Sequence, residues 1–128
     1  MALKDTDIAA VLPAADIDRA RRFYEETLGF EPESAAPAGI IYRSGTGRFT
    51  VYPTEFAGTS KHTQAGWLVG DIRATVAELR ERGVTFEEYD VPGLKTEDGV
   101  ADLGTELAAW FKDSEGNILG LFQLTPSA

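Results

Sequence analysis

Residues 16–30 read Asp-Ile-Asp-Arg-Ala-Arg-Arg-Phe-Tyr-Glu-Glu-Thr-Leu-Gly-Phe. Asp16 stands where an N-cap belongs, and its carboxylate can accept from the free N–H groups of a first turn. Ile17, Ala20, Phe23, Tyr24 and Leu28 recur at helical spacing, and Gly29 is a suitable stop. The stretch therefore predicts an amphipathic helix with one apolar face. Upstream, Ile8–Leu12 (IAAVL) predicts a short buried strand that Pro13 ends. Downstream, Gly39–Thr54 (GIIYRSGTGRFTVYPT) predicts a β-hairpin turning at Ser44-Gly45-Thr46-Gly47, because its arms are β-branched and aromatic.

The same order returns. Gln64–Gly70 (QAGWLVG) predicts a strand. Asp71 caps a second helix with Ile72, Val76 and Leu79 on one face and Gly83 as the stop. Val84–Tyr89 predicts another strand, and residues 90–105 a long loop of the length often used as a lid. Glu106–Lys112 and Asn117–Gln123 predict a closing hairpin around Asp113-Ser114-Glu115-Gly116. Asp16-Ile17 overlays Asp71-Ile72, an offset of 55, and Tyr42–Tyr52 overlays Phe111–Leu121, an offset of 69. The difference of 14 fits inside the longer loop. The reading is an α+β fold of two βαβββ modules, about 5–55 and 63–125, in a single domain spanning 1–128. Its mixed sheets form a cup, and the helices lie outside. Residues 56–63 (FAGTSKHT) link the halves.

Composition narrows the partners. Twelve basic against 21 acidic residues leave a net charge of −9. That disfavours nucleic acid and anionic membranes, which need clustered Lys and Arg. There is no cysteine, so disulfides, thiolate metal sites and cysteine nucleophiles are excluded. No apolar run approaches a membrane span, and the start MALKDTDIAA lacks a signal-type core, so the expected location is cytoplasmic. The glycines form no phosphate-binding fingerprint, and there is no Gly-x-Ser-x-Gly.

Residues 16–30 resemble the first-helix motif of the vicinal oxygen chelate superfamily, which includes glyoxalase I, bleomycin-resistance proteins, fosfomycin-resistance enzymes and extradiol dioxygenases. Trp110–Leu119 (WFKDSEGNIL) resembles its closing hairpin, usually written with Asp-Pro-Asp-Gly-Asn, and Val69–Ile72 (VGDI) resembles the start of its second helix. The likeness covers essentially the whole chain. It implies, for the metal enzymes of the family, four ligands on the cup face. Each module gives a His or Gln seven residues before the capping Asp and a Glu four residues after the turn Gly. Here those positions are Ala9, Val51, Gln64 and Gly120. Only Gln64 can donate an electron pair, whereas a divalent cation needs several donors. The resemblance therefore implies the branch that lacks the metal site, with no cofactor, and a homodimer that can share its cups.

Strand alternation sorts the remaining residues. With Ala9, Val51, Gln64 and Gly120 toward the cup, Val11, Phe49, Leu68, Ile118 and Phe122 follow. By the repeat, Ile41, Arg43 and Trp110 face it too, while Tyr42 and Phe111 are core. Ala10, Leu12, Ala65, Trp67, Val69, Leu119 and Leu121 pack under the helices. The expected ligand site is thus Val11, Ile41, Arg43, Phe49, Val51, Gln64, Leu68, Trp110, Ile118, Gly120 and Phe122, with Gly120 widening the cup. Such a lining suits a hydrophobic, aromatic or cationic small molecule oriented by Arg43 and Gln64. The bland alternatives are that the aromatics fill the cup or bury a dimer interface, that Arg43 pairs with an acid, and that Gln64 bonds a neighbour. His62, the one histidine, falls in the polar linker and reads as an exposed structural residue. Tyr24 reads as structural. Tyr89, heading the long loop, can reach a ligand, but neither tyrosine has an activating partner in the sequence. No catalytic residue is assigned. The leading function is metal-independent binding of a small molecule. The alternatives are a lyase, isomerase or dioxygenase-like enzyme and a purely structural dimerising module.

Overall fold

The computed structural model describes residues 2–125. After a short 3₁₀ turn (Leu3–Asp5) come β1 (Ala10–Ala14), α1 (Ile17–Arg21), β2 (Pro32–Ala36), β3 (Gly39–Ser44) and β4 (Gly47–Pro53). The second half holds β5 (Thr63–Leu68), α2 (Ile72–Glu81), β6 (Asp90–Val91), β7 (Leu94–Glu97), β8 (Val100–Asp102), β9 (Glu106–Lys112) and β10 (Ile118–Leu124). The sheets run β1-β4-β3-β2 and β5-β10-β9-β8-β7-β6. In each the first strand lies parallel to the last, and the other neighbours are antiparallel. This is the expected α+β duplication, with β1, β4, β3 and β2 matching β5, β10, β9 and β8.

Both helices begin as the sequence predicts. Asp16 Oδ1 accepts from Arg19 N at 3.1 Å, and Asp71 Oδ1 from Ala74 N at 3.1 Å. After Arg21 the first helix widens into a π-helical segment (Arg22–Thr27), which ends where Phe30 N reaches back to Tyr24 O across Gly29. One continuous core lies between helices and sheets. It includes Leu12, Tyr24, Tyr42, Ile72, Val76, Phe111, Leu119 and Leu121.

Three expectations are corrected. Pro13 does not end β1, which runs on to Ala14. The strand lies at the edge of its sheet, so the missing N–H costs no ladder bond. Val84–Tyr89 is not a strand; it meets β9 at an isolated bridge, Phe86 to Phe111, and β7 through bonds between Tyr89 and Thr96. Residues 90–105 are not a loop but carry β6, β7 and β8. Pro92-Gly93 and Asp98-Gly99 supply the tight turns, and Asp98 and Gly99 both take positive φ (53° and 84°), as a two-residue hairpin turn of that hand requires.

Candidate functional site

The sheets present an open face on the side away from the helices, and the ladders sort its residues. In the first module Val11, Thr50 and Ile41 stand in one row across β1, β4 and β3, with Arg43 beside Arg48 in the next. In the second module Gly66, Gly120 and Trp110 form one row and Leu68, Phe122 and Ala108 the next, across β5, β10 and β9.

The glycine row is the seat of the site. A Cβ on Gly66 would lie 2.5 Å from the Phe122 ring, and one on Gly120 would lie 2.7 Å from it. The Phe122 ring therefore lies flat across the two glycines. Trp110 reaches over the same strand, its indole Nε1 donating to Thr63 Oγ1 at 3.1 Å. Tyr89 meets the Trp110 ring edge-on, centroids 5.6 Å apart. Burial pushes the Tyr89 hydroxyl pKa up, and the nearby Glu87 adds to the shift, so it stays a neutral donor. Phe122, Trp110 and Tyr89 thus form an aromatic platform, and Leu68 beside it is 70% exposed. Gly120 leaves no widened cup, since the ring of Phe122 occupies the space.

Phe49 and Val51 do not face this platform. They are buried on the helix side, at 6% and 1% exposure, with Tyr42 and Leu12. The cause is turn length. Ser44 pairs with Gly47 in the first hairpin, whereas Lys112 pairs with Ile118 in the second, whose turn is one residue longer than the overlay allows. The offset is 69 before the turn (Tyr42 to Phe111) and 70 after it (Thr50 to Gly120). A slip of one residue carries every following side chain to the other face. Thr50, not Val51, is the structural counterpart of Gly120.

Gln64 is the extra residue at a bulge in β5, and its Oε1 accepts from Ile118 N at 3.2 Å. It thereby satisfies a backbone donor that the bulge displaces. Arg43 bonds Glu33 at 2.8 Å, and Arg48 grips the same carboxylate. The Arg48 and Arg43 guanidiniums hold Glu33 at a pKa of about 2. Ile41, Ile118 and Val11 lie on the open face, and Val11 is 60% exposed. His62 is exposed, its Nδ1 3.0 Å from Thr63 O.

The donor set of the expected metal positions does not fit a cation. Ala9 has no donor, Val51 faces the core, Gly120 lies under Phe122, and Gln64 Oε1 is occupied. Among the described residues no group of three or more His, Cys, Asp and Glu comes together to hold a metal ion. Nor is any described helix long and apolar enough to cross a membrane. Sequence reasoning missed Gly66 and Thr63, which seat Phe122 and anchor Trp110. The signal for Gly66 was a glycine in mid-strand, which often marks a close approach; Thr63, the first residue of β5, carried none.

The Glyoxalase/Bleomycin resistance protein/Dioxygenase superfamily model matches residues 8–121. No curated protein matches the chain. Among solved structures it is similar to a glyoxalase/bleomycin resistance protein/dioxygenase from Alicyclobacillus acidocaldarius (17% identity, 98% of this chain and 96% of that chain, TM-score 0.72). It is also similar to UcmS2 (20%, 91% and 98%, TM-score 0.70). A third is TnmS3, an antibiotic binding protein from Streptomyces sp. CB03234 (22%, 94% and 98%, TM-score 0.60). At these identities the likeness shows the fold.

Proposed function

We propose, from the premise that this chain belongs to the glyoxalase/bleomycin resistance protein/dioxygenase superfamily, that it binds a flat hydrophobic or aromatic small molecule on its open face without a metal. The observation that carries this reading is the aromatic group on that face: the Phe122 ring seated on Gly66 and Gly120, and Trp110 beside it, tied to Thr63 and met edge-on by Tyr89. Aromatic faces fixed by packing and hydrogen bonds lose little entropy when a planar ligand stacks on them. The net charge of −9 attracts a cationic ligand at long range. The similarity to an antibiotic binding protein agrees with this class of ligand. A homodimer in which a second copy covers the platform would exclude water from both sides of the ligand.

The mechanism is sequestration. The ligand stacks on Trp110 and Phe122, Leu68 packs its edge, and Tyr89 donates a hydrogen bond to a ligand acceptor. The contacts this face offers are ring faces, an aliphatic edge and one phenolic donor, which are the means of holding a planar ligand. The test is titration with bleomycin and with a planar cationic dye, followed by the Trp110 indole N–H signal and by chromatography of the ligand. Saturable binding with the ligand recovered intact is expected, and Trp110→Ala should weaken it by about tenfold or more. No movement of the Trp110 signal with any planar ligand, or recovery of an altered ligand, would overturn the reading.

A further inference from the structure

The two modules are related by the offsets above, so a position in one can be matched to a position in the other. Tyr24 corresponds to Leu79 (24 + 55), and Asp113 corresponds to Ser44 (113 − 69). In the first module the Tyr24 ring is fully buried, packed between Tyr42 and Phe49 at centroid distances of 5.7 and 5.5 Å. Its hydroxyl donates to Asp113 Oδ2 at 2.5 Å. At the matching place in the second module there is a cleft of about 300 Å³. Leu79 is too short to fill it, and Ser44 stands where Asp113 stands in the closed half. The cleft opens between α2 and the sheets, and Leu68, at the edge of the platform, also borders it.

Its walls are aromatic. Trp67 lies between Phe30 and Phe111, centroids 6.0 and 6.2 Å away and planes within 17° and 11° of parallel. Trp67 Nε1 donates to Ser44 Oγ at 3.0 Å. A serine hydroxyl that accepts one bond keeps its own proton and a second lone pair for another partner. The volume is at the lower bound of small-molecule sites, about 300 Å³.

We infer that this cleft is a binding site for a single-ring phenolic compound. The ring would take the space that the Tyr24 ring takes in the other module. Its oxygen would meet Ser44 as the Tyr24 hydroxyl meets Asp113. The protein thus carries, in its own closed half, a copy of the complex that the open half forms with a free ligand. The two sites share Leu68 at their border, but each is walled by its own tryptophan, Trp67 in the cleft and Trp110 on the platform.

The chain has two tryptophans, one at each site, so their indole N–H signals report the two sites separately. Phenol titrated into ¹⁵N-labelled protein should shift the Trp67 signal saturably, with a Kd of about a millimolar for so small a ligand, and leave Trp110 in place. Leu79→Tyr with Ser44→Asp copies the closed half into the open one and should abolish the Trp67 response while raising Tm. Leu79→Phe fills the cleft without a new charge and should weaken phenol at least tenfold. The inference is overturned if Trp67 does not respond at about ten times that concentration, if only Trp110 responds, or if folded Leu79→Phe binds phenol as the parent does.

Discussion

Tyr24 and Leu79 hold the same place in two modules of the same design, and their surroundings have diverged. Around Tyr24 the closing turn of the second module docks into the corner between β1 and α1. Glu115 Oε1 accepts from Ala15 N and Asp16 N at 2.9 Å, and Arg19 grips the carboxylate at 2.7 and 3.0 Å. Asn117 Nδ2 donates to Pro13 O and to Asp113 Oδ2, both at 2.8 Å. Asp113, Glu115 and Asn117 are all buried. Around Leu79 the corresponding turn is Ser44-Gly45-Thr46-Gly47, and it offers Trp67 the Ser44 hydroxyl. One junction is a polar lock and the other an apolar cleft. Duplication lets one copy hold the modules together while the other is free to change.

That contrast can be broken first at Tyr24. Tyr24→Ala removes a fully buried ring and takes one donor from Asp113, which keeps Asn117 Nδ2 on the same oxygen, and should cost about 3–5 kcal/mol in urea unfolding. Leu79→Ala, in the half that is already open, should cost about 1–2 kcal/mol. Equal losses would mean the two junctions are equally packed.

Acid sharpens the comparison next. Burial alone would push the Glu115 carboxyl up, but the hydrogen bonds from Arg19, Asp16 N and Ser114 outweigh it and hold the pKa at about 2. A folded pKa below the ordinary 4.5 gives stability that is fully present above pH 4.5 and is lost as pH falls toward 2. The contribution is on the order of 3 kcal/mol. Glu115→Gln should be less stable at pH 7 and should show a shallower decline between pH 4.5 and 2. An unchanged slope would show that the lock does not depend on this carboxylate.

The glycine row gives a smaller effect. Gly120→Ala puts a Cβ against the Phe122 ring and should cost about 1–2 kcal/mol while displacing that ring from the platform. Thr50→Ala, its counterpart in the first module, should change stability by less than about 0.5 kcal/mol. Arg43→Ala is comparably small. Its ion pair with Glu33 is exposed, and Arg48 still holds that carboxylate, so the urea midpoint should scarcely move.

Most of the architecture was legible before any coordinates. Both capping aspartates, the two hairpins and the duplication follow from short-range patterns, because caps and turns are decided by a few adjacent residues. The open-face assignments of Val11, Ile41, Arg43, Leu68, Trp110, Ile118 and Phe122 agree with the ladders for the same reason. Phe49 and Val51 were misplaced because alternation counts residues through a turn and cannot see that one turn is a residue shorter. The meander at 90–102 was hidden because its strands are two to four residues long, too short to show a period. The platform was half visible: Trp110 and Phe122 stood out, but Gly120, which seats Phe122, read as a missing carboxylate, and Gly66 went unread.

By itself the sequence determined the repeat, the α+β class, and the aromatic character of the open face. Each of these depends on residue type and local spacing. Only the tertiary structure decided that Gly120 seats a ring rather than enlarging a cup, that Gln64 serves a bulge, and that Asp113, Glu115 and Asn117 lock one junction while Ser44 and Leu79 leave the other ajar. Those outcomes depend on which side chains meet across the chain, from 23 residues between Ser44 and Trp67 to 104 between Pro13 and Asn117. That meeting is set by strand pairing within a module and by the docking of one module on the other, and no local pattern encodes it.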